Sequence, residues 1–247
     1  MINFSDIPEN SFFGKLLRFF PKIIPGWVTL PIFQGRIKGK KWIKGSGVNG
    51  YWLGSYESEQ QSIMEKTIKF GDVVFDIGAH VGFFTLFAAE LVGEKGRAIA
   101  FEPLLDNIHF LNKHIKLNKF SNITVMQTAV SNENGLANFR KGKSTTMGSI
   151  DPNGELEVST ISIDKLLEEK RVPPPTFLKI DVEGAQNLVL AGAIETLKRY
   201  HPAVLMEAKY ENREGNFYQL LLALGYTIRP LGHKPIETAG DFFAYVQ

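Results

Sequence analysis

From Gly71 onward, apolar runs typical of buried strands alternate with segments typical of helices. DVVFDI precedes VGFFTLFAAELVG, GRAIAFEP precedes LLDNIHFLNKHIKLN, and TFLKIDVEG precedes AQNLVLAGAIETLKRY, which we predict to be one helix over 185–200. This alternation favours a doubly wound α/β fold, in which helices cover both faces of a mostly parallel sheet. Ligands bind beyond the carboxyl ends of the strands in such sheets, so those ends are where a site is expected.

One stretch departs from this pattern. Between about 136 and 164, polar and apolar residues alternate and the turn sequences NG and DPNG occur nearby. Strict alternation between turn signals is typical of antiparallel strands. We therefore predict a β-hairpin insertion over this range.

Residues 1–50 also lack the alternation, so we predict an N-terminal appendage there and a main domain over 51–247. The appendage holds eight Lys or Arg against two acids, a charge of +6, and eight Phe or Trp. Such a composition fits an anionic partner, namely a membrane surface, a phosphorylated sugar or a nucleic acid. It also fits a cap whose aromatic side chains pack on the main domain. We favour the cap, because surface charge rarely has a specific role.

Composition excludes several classes of protein. The absence of cysteine excludes disulfides, thiol nucleophiles and thiolate metal sites. No apolar run approaches the ~20 residues of a membrane helix, and early charged residues argue against a signal peptide, so we expect a cytoplasmic protein without stable membrane insertion. The whole chain carries +2, which leaves −4 outside the first 50 residues and argues against a nucleic-acid partner.

The loop DIGAHVGFF, from Asp76 to Phe84, follows the first strand of the alternating region. It resembles a dinucleotide-binding loop, but His80 stands where the middle glycine should be, and Asp76 would repel a phosphate. The chain also has no phosphate-binding G-x-x-x-x-G-K-[ST] loop. The ligand is therefore expected to offer a cation or hydroxyl groups at this loop.

S-adenosylmethionine meets these demands, since it carries an ammonium, a sulfonium and a ribose diol. Gly78 and Gly82 would let the backbone approach its methionyl part. Asp76 would lie near the cationic part, and Phe83 is close enough to touch the cofactor. Glu102 ends the next strand and could accept hydrogen bonds from both ribose hydroxyls.

Several longer segments carry a family likeness. VVFDIGAHVGFFTLFAA, AFEPLLDNIHFLNKHIKLN, QTAVSNENG and FLKIDVEGAQNLVLAG resemble the FkbM family of S-adenosylmethionine-dependent methyltransferases, from GYWLGSYE at Gly50 to about Glu207. The resemblance implies a Rossmann-like class I methyltransferase with seven strands, the last one antiparallel. It also implies O-methylation of a small-molecule or carbohydrate acceptor, often a sugar or natural product.

The same resemblance suggests which residues hold the cofactor. Tyr56 and Glu57 would cover it from the N-terminal side, and the loop position of His80 is commonly Asn in the family. The remaining residues carried over by the resemblance are Asp76, Gly78, His80, Gly82, Glu102 and Ala129.

An alcohol is a weak nucleophile, so a general base is expected beside the sulfonium. KIDVEG offers Asp181 and Glu183, and Glu207 ends the following strand. The first two could instead bind a divalent metal, or could simply cap the next helix. We expect Lys179 to form a salt bridge, and His109 and His114 to be surface residues.

Two rival functions stay open at this stage. One is an N-methyltransferase or an enzyme acting on nucleic acid, and the other is a non-catalytic module that binds S-adenosylmethionine. The acceptor would be shaped by the appendage, WLGSYE and the tip KSTTMGSI (143–150), which could bind a polyol or be an ordinary loop. The oligomeric state cannot be read from this pattern.

Overall fold

The computed structural model describes residues 24–142, 148–207, 217–232 and 239–247. The strands are β1 (Thr29–Pro31), β2 (Lys41–Ile43), β3 (Val73–Ile77), β4 (Arg97–Phe101), β5 (Ile123–Met126), β6 (Ala129–Val130), β7 (Gly135–Lys141), β8 (Gly148–Ile150), β9 (Leu156–Ile161), β10 (Phe177–Ile180), β11 (Ala203–Glu207), β12 (Thr227–Pro230) and β13 (Asp241–Tyr245). The helices are α1 (Asn49–Leu53), α2 (Ser58–Thr67), α3 (Phe83–Val92), α4 (Leu105–Asn118), α5 (Ile163–Glu168), α6 (Gln186–Ala191), α7 (Ile194–Tyr200) and α8 (Phe217–Ala223). Within these ranges, no helix combines the length and the apolar character needed to cross a membrane.

The central sheet has seven strands in the order β12-β13-β11-β10-β3-β4-β5. Strands β11, β10, β3, β4 and β5 pair in parallel, whereas β13 runs antiparallel to both of its neighbours. The predicted doubly wound α/β class is therefore confirmed, together with the antiparallel last strand.

Both faces of this sheet are covered, which is why its strands read as continuous apolar runs. Along β3, Phe75 and Ile77 belong to one buried cluster, while Val74 belongs to the other. Strand side chains alternate between the two faces, so each strand contributes to both halves of the core. Packing on both faces holds each strand in place, and with it the residues at the carboxyl end of the strand.

The predicted hairpin insertion is present and belongs to a larger sheet. Strands β7 and β9 pair antiparallel, and the sheet runs in the order β6-β9-β7-β8. Strand β6 directly follows β5, which is an edge strand of the central sheet. The insertion therefore begins beside that edge strand. Helix α5 starts at Ile163, inside the range predicted as hairpin, where the Ser162 hydroxyl accepts a hydrogen bond from the Lys165 N–H at 3.3 Å.

The prediction of one helix over 185–200 is wrong, because the chain forms two short helices, α6 and α7, with Gly192 between them. A Cβ at Gly192 would lie 2.1 Å from the Ser131 carbonyl oxygen, so the chain turns where it touches the loop after β6. The Asp164 carboxylate then accepts hydrogen bonds from the backbone N–H groups of Glu195 and Thr196 at the start of α7. The break is thus set by contacts distant in sequence.

The described part of the N-terminal segment packs on the main domain through Trp42. This side chain is fully buried and stacks on the His114 ring, with centroids 3.8 Å apart. His114 was predicted to lie on the surface, and that is wrong, whereas His109 is exposed. The reason is that β2 covers the face of α4 that carries His114.

Candidate active site

A cavity of about 750 Å³ opens at the carboxyl ends of β3, β4, β10 and β11. Its size falls in the range of small-molecule sites. Most of the residues predicted from the sequence line it, namely Tyr56, Glu57, Gly78, His80, Glu102, Ala129, Asp181, Glu183 and Glu207. Residues 143–147, which form most of the predicted KSTTMGSI tip, lie outside the described residues.

The glycine loop crosses the floor of this cavity. Gly78 has φ 83°, and a Cβ there would lie 1.9 Å from the Asp181 carbonyl oxygen. The N–H groups of Gly78 and Ala79 both donate to the Phe101 carbonyl at 3.0 Å. Glycine is therefore required for loop and β10 to meet, and the loop is anchored to the end of β4.

Glu102 is held firmly at that strand end. Its two carboxylate oxygens accept hydrogen bonds from the backbone N–H groups of His80 and Leu104, each at 2.9 Å. Burial raises the pKa of Glu102 to about 7, although hydrogen bonds from Leu104, Asn107 and His80 oppose the rise. A carboxylate fixed in this way keeps lone pairs that can accept hydroxyl hydrogen bonds.

Three predicted cofactor residues belong to the segment DIGAHVGFF but do not line the cavity. Asp76 is 1% exposed, and its Oδ2 accepts a hydrogen bond from the Thr85 hydroxyl. A Cβ at Gly82 would lie 2.2 Å from Cδ1 of Leu111, so this glycine serves packing between α3 and α4. Phe83 packs against Tyr51, with ring centroids 5.2 Å apart. These contacts pack the two ends of the segment against α3, α4 and Tyr51.

Tyr51 is a cavity residue that sequence reasoning missed. Its hydroxyl lies 3.1 Å from Nδ1 of His80, and its ring packs against Tyr56 at 4.5 Å between centroids. Burial lowers the pKa of His80 to about 4, so this imidazole is neutral near pH 7. The segment GYWLGSYE contains both tyrosines, but only the second was selected.

A second group of side chains surrounds a buried ammonium. Lys179 Nζ lies 2.9 Å from Asp181 Oδ2 and 4.6 Å from the centre of the Phe84 ring, and its side chain is only 3% exposed. Burial alone would lower the pKa of Lys179, but the charges of Asp181, Asp76 and Glu57 outweigh it and raise the pKa. The expected salt bridge of Lys179 is confirmed.

Two acids beside this ammonium, Asp181 and Glu207, have pKa values that are shifted in opposite directions. Burial would raise the pKa of Asp181, but the charge and hydrogen bond of Lys179 hold it below its ordinary value. Glu207 is hydrogen-bonded to Asp181, and burial together with the Asp181 charge raises the pKa of Glu207 to about 8. Asp181 is thus ionised at neutral pH, while Glu207 holds the proton between them.

Glu57 completes the group from the N-terminal side. Burial raises its pKa to about 7, with Lys179 opposing and Asp181 reinforcing the rise. Carboxylate oxygens of Glu57, Asp181 and Glu207 lie within 4.8 Å of one another, a spacing that could also hold a divalent cation. Helix α6 has Ala185 as its N-cap residue, so neither Asp181 nor Glu183 is the N-cap.

Two regions outside the central sheet also line the cavity. Gly47 and Val48 come from the N-terminal segment, and Phe139, Ser149 and Ile150 come from the insertion. The sequence predicts that both regions shape the binding site of the acceptor.

Comparison with known proteins agrees with this geometry. A family profile described as the methyltransferase FkbM domain matches residues 76–228. That range contains the glycine loop, Glu102 and the acids at the ends of β10 and β11.

Two curated relatives are similar in sequence. The chain is 28% identical over 129 residues to the hexuronic acid methyltransferase AglP of Haloferax volcanii, covering 51% of this chain and 52% of AglP. It is 28% identical over 193 residues to the 31-O-demethyl-FK506 methyltransferase FkbM of Streptomyces tacrolimicus, covering 64% of this chain and 74% of the relative. The match thus spans about half the length of AglP and three quarters of the second relative.

One solved structure shares the fold. The crystal structure of a methyltransferase FkbM from Methylobacillus flagellatus superposes with a TM-score of 0.51 at 17% identity, over 80% of this chain and 53% of that chain. At this identity the likeness concerns the fold alone.

Proposed function

The chain belongs to the FkbM family of methyltransferases, and from this premise we propose that it transfers a methyl group from S-adenosylmethionine to a hydroxyl of a sugar or other small acceptor. The observation that carries the proposal is the meeting of two groups in one cavity. The loop after β3 and Glu102 after β4 form the first group, and the Asp181–Glu207 pair at the ends of β10 and β11 forms the second. The first group could bind a cofactor, and the second group could accept a proton.

The donor set fits S-adenosylmethionine. Glu102 would accept hydrogen bonds from the ribose hydroxyls, and the loop from Gly78 to His80 would border the methionyl part. The carboxylates of Glu57 and Asp181 complement a ligand with a positive charge. When bound, the cofactor supplies a methyl group on a positively charged sulfur, which is a good leaving group.

The acids would then handle the proton of the acceptor hydroxyl. Glu207 is the best candidate for the general base, because a base works best when its pKa lies near the working pH. Asp181 acts on Glu207 through its charge, which makes the Glu207 carboxylate more basic. The cavity walls supply alignment, which accounts for much of the acceleration of a displacement reaction.

The test is a methyl-transfer assay on a panel of glycosides between about pH 6 and pH 9, comparing the wild type with Glu207→Gln. Glu207 must be ionised to accept a proton, so wild-type kcat should rise with pH and reach half of its maximum near pH 8. Glu207→Gln should lower kcat by about 100-fold and flatten the rise.

The control is Glu94→Gln, which removes an exposed carboxylate from the turn between α3 and β4 and should leave the profile unchanged. A parallel series with a chelator addresses the divalent-cation alternative, since a metal-dependent reaction would stop. Cofactor binding without transfer to any acceptor would instead favour the non-catalytic module. An unaffected Glu207→Gln enzyme would contradict the role given to Glu207.

A further inference from the structure

The described part of the basic N-terminal segment forms a hairpin over residues 26–45. Strands β1 and β2 pair antiparallel within it, and the Gly45 N–H continues the pairing by donating to the Gly26 carbonyl at 2.7 Å. A Cβ on Gly45 would lie 2.8 Å from Cα of Gly26, so the two backbones touch at this end. The hairpin therefore holds its two strands close together.

The main domain covers one face of this hairpin. Trp42 of β2 is fully buried and stacks on the His114 ring. Successive side chains of a strand point to opposite faces, so Lys41 points away from the main domain. Lys41 is exposed, and so are Thr29 and Pro31 of β1, of which Pro31 is opposite Lys41 in the register. The second face of the hairpin is thus part of the molecular surface.

The first strand of the hairpin exposes apolar side chains. The sequence of residues 26–33, GWVTLPIF, has no charged residue. Trp27 is 81% exposed, more than any other large hydrophobic side chain of the described residues, and Phe33 is 57% exposed at the other end of the strand. Covering an aromatic side chain is favourable because it removes a large apolar area from water. These residues therefore favour a partner that can cover apolar surface.

The second strand and the turn before it are cationic. Residues 34–45 hold five Lys or Arg, and residues 10–56 contain no Asp or Glu. Arg36, Lys38 and Lys41 are exposed, and no ion pair within the described part of the chain involves them. Their positive charges are thus available to an anionic partner.

An anionic lipid surface fits both strands at once. Aromatic side chains are favoured at the level of lipid headgroups, and Lys and Arg are attracted to anionic headgroups. A nucleic acid would use the cations and could stack a base on Trp27, but it would leave the other apolar residues of the first strand in water. The three exposed cations do not line the cavity, so they are not placed to hold a phosphorylated acceptor there.

We propose that the hairpin docks reversibly on an anionic lipid surface. Trp27 and Phe33 lie at the level of the headgroups, and the three exposed cations lie beside the negative charges. Such docking is peripheral, because the side chains enter the headgroup region without crossing the hydrocarbon core. Gly45 of the same hairpin lines the cavity, so docking brings the candidate active site near the lipid surface. Docking itself does not require the proposed function.

The test is co-sedimentation of the full chain with vesicles of phosphatidylcholine alone and with vesicles of equal parts phosphatidylcholine and phosphatidylglycerol. The anionic vesicles should bind about tenfold more tightly or better, and high salt should weaken that binding because it screens the charges. Equal binding to both kinds of vesicle, or binding to neither, would overturn the proposal.

Two variants place the binding on the hairpin. Trp27→Ser and the double variant Arg36→Gln/Lys38→Gln should each lower the affinity for anionic vesicles by about tenfold. The controls are Phe70→Ser, since Phe70 is 61% exposed outside the hairpin, and Lys95→Gln/Lys170→Gln, which removes two exposed charges elsewhere. The controls should bind vesicles as the wild type does, and equal losses in variants and controls would contradict docking through the hairpin.

Other occupants of this surface give different results. Binding of a single-stranded oligonucleotide that the hairpin variants weaken, without binding to vesicles, would assign the surface to nucleic acid and overturn the proposal. Urea denaturation of the same variants addresses residues 1–23 of the chain itself. If Trp27→Ser lowers the free energy of unfolding more than Phe70→Ser does and leaves vesicle binding unchanged, the chain covers its own hairpin and the proposal fails.

Discussion

Gly78 shows how much of the site depends on a single backbone position. Its φ of 83° lies in the left-handed region, and the space where a Cβ would be is filled by the Asp181 carbonyl. The glycine loop and the acid-bearing end of β10 can therefore approach each other only without a side chain here. The loop and the candidate catalytic pair are positioned by the same residue.

We predict that Gly78→Ala lowers the free energy of unfolding by about 3 kcal/mol or more, since backbone strain and a steric clash both contribute. Gly71→Ala is the matched control, because Gly71 has φ 91° but nothing lies within 4 Å of an added Cβ. It should cost about 1 kcal/mol, from strain alone. Urea denaturation of both variants measures the difference, and equal losses would show that the contact with Asp181 is not tight.

The sequence marked Gly78 as a place where the cofactor approaches closely, and this stays a prediction, since Gly78 lines the cavity. The structure adds a second close approach, because the carbonyl of a residue more than 100 positions away fills the space of a Cβ. Only tertiary packing decides which group fills the room that a glycine leaves. The same holds for Gly82, whose neighbour is the side chain of Leu111.

At the scale of elements, one histidine joins helix α4 to two other segments. His114 Nδ1 donates to the Val81 carbonyl at 2.9 Å, and its Nε2 accepts from the Ile43 N–H at 3.2 Å. Nε2 also lies 3.3 Å from the Ser46 hydroxyl. These bonds require the neutral ring, and burial lowers the pKa of His114 to about 4. The N-terminal segment and the glycine loop are thereby tied to the same helix.

We predict that His114→Phe, which keeps an aromatic ring beside Trp42, lowers the free energy of unfolding by about 2 kcal/mol near pH 7.5. The loss should shrink as the pH falls. In the unfolded chain His114 takes up its proton near pH 6.5, whereas in the folded chain it does so near 4. The wild type therefore loses stability between those values, and the variant does not lose this contribution.

Denaturation of both proteins from about pH 7.5 down to pH 4.5 measures how the difference between their free energies of unfolding decreases. His109→Phe is the control, because His109 is on the same helix but exposed. A loss that stays constant with pH would contradict the buried neutral state of His114.

Strands and helices could be predicted where the residue pattern of a segment matches the environment of that segment in the folded chain. The strands DVVFDI and TFLKI are buried on both faces, and their continuous apolar runs indicate that directly. The division between α6 and α7 was not predictable, because it depends on Ser131 and Asp164, which reach the break from other segments. His114 was misjudged for the same reason, since a helix pattern does not reveal what β2 covers.

At the scale of the whole molecule, the fold brings together acids that are far apart in the chain. Glu102, Asp181 and Glu207 end or follow parallel strands of one sheet, so their placement at the same end of that sheet followed from the predicted fold. Glu57 reaches the same cavity from the segment before α2. What the sequence could not give was their ionisation, because it depends on the burial of each carboxyl group and on the position of Lys179 beside Asp181.

We propose that the carboxyl ends of the central strands hold S-adenosylmethionine, with Glu102 as a principal contact. Calorimetric titration of S-adenosylhomocysteine into the full chain measures this binding. We expect saturable binding of one molecule per chain, weakened by about tenfold or more in Glu102→Gln and unchanged in Glu94→Gln. Absence of binding by the folded wild type, or equal affinity in Glu102→Gln, would contradict it.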